Sequence, residues 1–280
     1  VSGAADSFNG DYHDLQQFWG EVQLPIGQRG VTVRGGKIAT IIGPETIERA
    51  TNNQASMSWG NGLALPFTHW GAVATAPLTD GLDLSLGVVN GWDNVYGRST
   101  GPSGLLGFSG EPTDWFSWSL TGALGADQDR FLGTGNGIAT FSAGNFSFMT
   151  SLILTGQGEN GPEAPPGTFF AAFINPRYQF HHHVALSGRA ELAHDPDGIR
   201  TGLSQTLGGF ALALPIRPVP ESHYRYFPLE IRPEIRHDVS SAAPFLAGED
   251  ETAVSGQTTF GVSATLNWEN WVGIHRSPPE

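Results

Sequence analysis

The chain contains no cysteine, and that gap alone removes thiol catalysis, zinc ribbons and thiolate-held iron–sulfur clusters. It leaves the compartment open, because an oxidising space permits disulfides without requiring them. Charge is also scarce, at 15% of residues, and positive charge is the scarcer sign: 14 Lys and Arg face 27 Asp and Glu, for a formal net charge of -13. Such a balance does not grip phosphates, which argues against a nucleic-acid partner and against an electrostatic hold on anionic lipid heads. Long apolar runs are missing as well. The purest stretches, such as Gly209 to Pro215, fall far short of the roughly 20 residues a spanning helix needs. Val1 to Asp14 are polar, with no basic start leading into an apolar core, so no secretory leader is legible there. Export would remove one.

Glycine and aromatic rings are abundant: 38 Gly, 17 Phe, 8 Trp and 5 Tyr in 280 residues describe a turn-rich, aromatic-rich chain. The length suits one large all-β domain or two small ones, and the residue pattern must decide. The dominant period is two, the mark of strands whose faces meet different surroundings. From Phe227 to Asp238, the residues Phe227, Leu229, Ile231, Pro233 and Ile235 share one face, while Glu230, Arg232, Glu234, Arg236 and Asp238 share the other. Val184, Leu186, Gly188, Ala190 and Leu192 oppose Ser187, Arg189 and Glu191 in the same way. So do Leu82, Leu84, Leu86 and Val88 against Asp83, Ser85 and Gly87, Phe260 to Trp268, and Phe116 to Leu124. These segments have about the ten-residue length that crosses a bilayer when tilted.

Alternation alone fits a soluble sandwich as well as a membrane barrel. The spacing of the connections discriminates. After a turn near Gly27 to Gly30, long segments alternate with short turns. The long ones fall near 40–66, 92–103, 127–136, 157–166, 194–200 and 239–253, and the short ones near 78–81, 111–114, 143–145, 181–183 and 219–223. Short turns on one rim and long loops on the other predict an all-β, transmembrane, up-and-down antiparallel β-barrel. Aromatic residues at strand ends, Trp92, Trp115, Phe116, Trp118, Tyr224, Tyr226 and Phe227, suit the membrane–water boundary, although rings also simply fit strands. The tally is about 13 strands, the first near His13 to Leu24 and the last near Val254 to Trp268. Single-chain bacterial barrels use an even number, so the expectation is one domain of about 14 to 16 strands, with at least one strand upstream and Val1 to Asp14 left as an external loop or its remnant.

Five stretches, in order along residues 15–268, carry a family resemblance. They are Gly36-Lys37 with Ile42-Gly43-Pro44-Glu45; Pro66-Phe67-Thr68-His69 with Gly71; Gly87-Val88-Val89-Asn90-Gly91-Trp92-Asp93-Asn94; Arg189-Ala190-Glu191 with Asp195-Pro196-Asp197-Gly198; and Arg232-Pro233-Glu234-Ile235-Arg236 with Asp238. On these the chain resembles the OmpL-like β-barrel porins of bacterial outer membranes. Trp70 departs from an expected small polar residue, and His237 from an expected aromatic one. The resemblance implies an outer-membrane location and a passive channel, and names no solute.

Ionised groups near the bilayer midplane cost roughly 2–4 kcal/mol for a basic residue, so the charged rows must face water or each other. That makes Arg34, Asp83, Arg189, Glu191, Glu230, Arg232, Glu234, Arg236 and Asp238 the expected lumen lining, both setting the field and laddering the wall. The segment from Thr40 to Leu65 is the longest connection and the candidate constriction loop, with Glu45, Glu48 and Arg49 near the narrowing; the alternative is a plain surface loop. His181-His182-His183 reads as a short turn, since consecutive strand residues alternate faces and do not converge on one ion. Gly133-Thr134-Gly135-Asn136-Gly137 lacks the Lys and helix of a phosphate loop, and no nucleophile elbow or His-Glu-x-x-His run occurs. Glu159, Glu163, Glu249, Asp250 and Glu251 read as a solvated acidic rim that would hold divalent or cationic solutes weakly.

The expected function is therefore a non-enzymatic porin passing small hydrophilic solutes through outer-membrane lipid, with no catalytic residues, cofactor or metal. The alternatives are a structural sleeve in an envelope complex, or an outer-membrane hydrolase with its site in the outer loops. A homo-oligomer or an envelope-complex partner fits the sequence equally.

Overall fold

A computed structural model describes residues 16–93, 101–127, 130–158, 166–218, 229–248 and 251–266. The strands are β1 Phe18–Leu24, β2 Val31–Ala39, β3 Thr68–Thr79, β4 Leu82–Val89, β5 Ser103–Thr113, β6 Phe116–Asp127, β7 Arg130–Ala143, β8 Phe146–Gln157, β9 Gly167–His181, β10 Val184–Asp195, β11 Gln205–Ala213, β12 Leu229–Ser240, β13 Phe245–Ala247, β14 Thr252–Val254 and β15 Gly256–Leu266. Each pairs antiparallel with its sequence neighbour in one 13-stranded sheet, from β1 through β12 to β15. The hairpin β13–β14 stands apart as a second, two-stranded sheet. This is the expected up-and-down wall. Its edge strands, β1 and β15, both run from the long-loop rim to the short-turn rim, so antiparallel closure between them requires an odd number of intervening strands.

The two faces of the wall have opposite chemistry. Leu86, Val88, Leu106, Leu120, Leu124, Leu152, Leu154, Phe170, Ile174, Leu192, Phe210, Ile235, Phe260 and Val262 all lie exposed. Asn136, Ser151, Thr155, Asn175, Ser187, Arg189, Arg232, Glu234, Arg236 and Asp238 are buried. Cross-strand partners share a face: Leu152 lies outward with Ala172 and Gly137, and Ser151 lies inward with Phe173 and Ile138. Water would strip such a coat of Leu and Phe from a soluble sandwich, whereas lipid tails solvate it. The greasy side chains face outward, as the alternation requires.

The short-turn rim carries a ring of outward aromatics. Trp115 stacks on Phe141 at 6.2 Å, Phe116 lies 4.9 Å from Phe141, and Tyr178 meets Phe180 edge-on at 5.0 Å. Trp92 does not join a girdle: it is buried, with the Arg200 guanidinium 5.7 Å from its ring. Tyr224, Tyr226 and Phe227 lie outside the described residues, as do Val1 to Asp14, Glu159, Glu163, Glu249 and Asp250.

One connection differs from the expected rhythm. Residues 127–136, expected as a long loop, are mostly strand, because β6 and β7 pair from Asp127 opposite Arg130 onward. The glycines there are not turn signals. Leu124 and Leu120 of β6 lean over Gly133 and Gly137, filling on the outer face the space their side chains would take. The link near 219–223, expected to be short, lies outside the described residues; ahead of it Ile216 bridges Val184 and Ile231. At Gly36 and Gly71, which pair with each other, a Cβ would lie 2.3 Å from the carbonyl oxygens of Phe18 and Val88. Two resemblance-bearing glycines thus mark a crease where neighbouring backbones approach too closely for any side chain.

Candidate functional site

Residues 40–67, between β2 and β3, do not project from the rim. They pack against the inner faces of β3 to β12, and the segment contains a one-turn 3-10 helix, Arg49–Thr51, and a short helix α1, Trp59–Ala64. Ser58 caps α1, its hydroxyl accepting from the Asn61 N–H at 3.3 Å. The loop has an apolar end and a polar end. Ile42, Ala64 and Leu65 sit on Val73, Leu105, Ala123, Ile153, Phe169, Ala171, Ala193 and Leu207 of the inner wall. Trp59 tilts against Phe245 at 6.4 Å. The Ala64 carbonyl accepts from Thr155 at 3.1 Å, and the Leu63 carbonyl accepts from the Arg200 guanidinium.

The polar end is held by the charged rows of β10 and β12. Arg189, fully buried, donates to the Glu45 carboxylate at 2.9 Å, to the Ser56 carbonyl at 2.8 Å and to the Ser56 hydroxyl at 3.0 Å. Its remaining edge meets Glu191 at 3.2 Å. Glu191 in turn accepts from the Trp59 N–H at 2.5 Å and pairs with Arg236 at 3.1 Å. Arg236 makes a two-oxygen contact with Asp238 at 2.8 and 2.9 Å and donates to the Met57 carbonyl, while its guanidinium lies 4.9 Å from the Trp59 ring. Asp238 accepts from the Trp59 indole N–H at 2.9 Å. Glu234 accepts the Ala55 and Ser56 N–H groups, at 2.6 and 3.2 Å. Arg232 pairs with Glu230 and donates to the carbonyls of Arg49 and Ala50 at 3.4 Å.

These contacts hold the loop's backbone as well as its side chains. A loop in mid-channel lacks a ladder partner, so its N–H and C=O groups need other hydrogen bonds. Carboxylates of the wall supply acceptors to its N–H groups, and arginines supply donors to its carbonyls. Around it, Asn53 meets Asn175 at 2.5 Å, the Arg177 guanidinium reaches Asn53 at 3.3 Å, and Ser187 donates to the Asn53 carbonyl at 2.9 Å.

Of the residues singled out by sequence, Glu45, Arg189, Glu191, Glu230, Arg232, Glu234, Arg236 and Asp238 are brought together here. Arg34 is elsewhere, pairing with Glu21 at 2.7 Å and lying over the Trp19 ring at 4.3 Å. Asp83 belongs to the opposite wall, in a polar recess with Asp80, Ser109, Glu111, Ser117, Ser119 and Thr140. Glu48 and Arg49 are exposed, Glu48 accepting from Gln17 and Arg49 donating to the Ala55 carbonyl. Sequence reasoning missed Asn53, Ser56, Ser58 and Trp59. The only local signal was a capping serine ahead of Trp59-Gly60-Asn61.

The remaining resemblance-bearing motifs tie down the rim beside the loop. His69 bridges the Gly91 carbonyl at 3.0 Å and the Thr40 hydroxyl at 2.9 Å. Asp93 accepts from the N–H groups of Phe67 and Thr68 at 2.8 and 2.7 Å. Asp195 gathers the N–H groups of Ile199, Arg200 and Thr201 at 2.7–3.0 Å.

Solved structures share this architecture at low sequence identity. The anion-selective porin from Comamonas acidovorans is 12% identical, with a TM-score of 0.57 over 85% of this chain and 76% of that one. Pseudomonas aeruginosa OccK11 (OpdR) is 11% identical, with a TM-score of 0.50 over 85% of this chain and 72% of that one. No curated protein sequence matches. The family model described as "Putative beta-barrel porin-2, OmpL-like" matches residues 2–268, and the chain belongs to that family.

Proposed function

We propose that the protein is an outer-membrane porin for passive diffusion of small hydrophilic solutes, in which residues 40–67 narrow the channel from one side. The observation that carries this reading is the inverted wall, apolar outside and ionic inside, with the loop fixed to the ionic face by Glu45, Arg189, Glu191, Glu234, Arg236 and Asp238. A solute then passes beside the polar end of the loop, along the short-turn half of the inner face of β4 to β7. That face presents Asp80, Asp83 and Glu111 among the hydroxyls of Ser109, Ser117, Ser119 and Thr140.

Arg189, Arg232 and Arg236 of the opposite wall are each engaged by a carboxylate, which leaves them little free positive field, while Arg177 hydrogen-bonds the amide oxygens of Asn53 and Gln179. On the open side Asp80 is paired with Arg29 at 2.8 Å, which leaves Asp83 and Glu111 to favour cations weakly over anions. Long connections lie outside the cell and short turns in the periplasm, following the general build of such barrels. A channel of this kind needs positioning and field but no reacting group, which fits a non-enzymatic role.

Planar-bilayer recording tests the reading. The purified protein is expected to form an open, ohmic pore, and removal of about ten residues from the 46–56 part of the loop is expected to raise its conductance. A barrel that stays silent would instead fit a sleeve within a larger assembly, and equal conductance with and without the loop would reject the narrowing.

A further inference from the structure

We propose that His181, His182 and His183 form a binding site for a borderline divalent transition ion, Zn2+ or Cu2+, on the short-turn rim. Alternation would splay three consecutive histidines in a strand. Here β9 ends at His181 and β10 starts at Val184, so the chain reverses through His182 and His183. The reversal gathers the rings: centroids of His181 and His182 are 3.8 Å apart, those of His182 and His183 are 3.9 Å apart, and those of His181 and His183 are 5.2 Å apart. One ring nitrogen from each lies within 4.8 Å of the other two. A tetrahedral ion with bonds of about 2.0–2.1 Å wants its ligand nitrogens about 3.3 Å apart. Small rotations of the exposed His181 and His182 side chains close that difference.

The surroundings prepare the site. His183 Nδ1 lies 2.7 Å from the Arg217 carbonyl, which can only accept, so Nδ1 holds the proton and Nε2 keeps its lone pair for a metal. The turn backbone is pinned on both sides. The Gln179 side chain donates to the carbonyls of His181 and Val184, the Arg217 N–H donates to the His183 carbonyl at 2.8 Å, and the Ala185 N–H donates to the Pro215 carbonyl at 3.1 Å. The nearby Arg217 guanidinium is paired with Glu230 at 3.1 Å, which offsets its repulsion of a cation.

Turn chemistry gives no reason for this composition. Among the described residues this rim has three other two-residue reversals: two use Asp80-Gly81 and Gly144-Asn145, residues that suit tight hairpins, and the third, Asp114-Trp115, sets its ring against Phe116 and Phe141; His-His has neither role. Imidazole suits Zn2+, Cu2+ and Ni2+ rather than Mg2+ or Ca2+. Three protein ligands leave a fourth position for water or for a donor group on an arriving ligand.

The test is calorimetric titration of the whole protein in detergent with ZnCl2 and with CuCl2, after treatment with a chelator. One ion per chain is expected, not displaced by Mg2+. His182→Ala and His183→Ala should each weaken binding at least about tenfold, and the triple alanine variant should lose it. Heat-modified gel migration verifies that each variant keeps its barrel. Equal uptake by wild type and the triple variant, or no uptake by wild type, overturns the site. Because the readout is binding and not conductance, the outcome is independent of the channel reading.

Discussion

Replacing Arg189 with Met isolates the attachment of the 40–67 loop from the integrity of the wall. The guanidinium makes three contacts to the loop, with Glu45 and twice with Ser56, between 2.8 and 3.0 Å, and its side chain is completely buried. Methionine fills most of the volume and offers none of these donors. Hydrogen bonds to a charged group are worth about 1.5–3 kcal/mol each, and removing one partner of a buried pair costs about 3–5 kcal/mol. Other clasps survive, including Glu234 with Ala55, Glu191 with the Trp59 N–H, and Asp238 with the indole. The loss therefore falls on the closed position of the loop, and about 3 kcal/mol raises its detached fraction roughly 100-fold. Single-channel recording should show brief excursions to a higher conductance level absent from wild type, and added protease should cut the loop faster. Arg189→Lys, a point charge that reaches fewer partners, should fall between the two. The β10 ladder keeps its backbone hydrogen bonds, so gel mobility of the folded barrel should not change. Wild-type noise together with wild-type protease resistance would refute the clasp, and so would a variant that cannot fold.

Three more perturbations follow from the same geometry. Leu152→Arg places a charge on the lipid face at the middle of β8 and should lower barrel stability in vesicles by about 2–4 kcal/mol, read from denaturant unfolding. Gly71→Val drives a Cβ to within 2.3 Å of the Val88 carbonyl oxygen, and the expected outcome is loss of folded barrel on a gel, whereas Gly20→Ala, where a Cβ meets nothing within 4 Å, should be tolerated. Asp83→Lys reverses a charge in the recess along β3 to β7, and reversal-potential measurements in a salt gradient should move toward anions; an unchanged potential would place the solute path elsewhere.

The wall was legible in the sequence because lipid and water sort alternate residues over ten or so positions, with apolar inner residues such as Leu105, Ile153 and Phe169 where the loop covers them. Phe260, Val262 and Leu266 could have no other address. Lengths of connections were harder. Gly133 to Gly137 imitates a loop because glycine is read as a turn residue, while its actual purpose, making room for Leu120 and Leu124, depends on the pairing register with β6. The lattice was half legible: the charges on β10 and β12 announced themselves by alternation, but their partners are backbone groups of Ala55, Ser56 and Trp59 in a segment with no period. The histidine triplet shows a third limit. The alternation rule applies to strands, and the chain places these three residues where a strand ends.

The clasp also has a consequence for assembly. Glu45 and Arg189 are 144 positions apart, and Ala55 and Glu234 are 179 apart, so no part of this anchorage can form while only the early strands are paired. Local hairpins zip first, since closing a long span of chain costs entropy before any contact repays it. Until β10 and β12 arrive, the polar end of the segment after β2 lacks the partners that clasp it. Seating it is thus a late step, one that reports the arrival of the C-terminal strands and locks the interior only when the wall that holds it is in place.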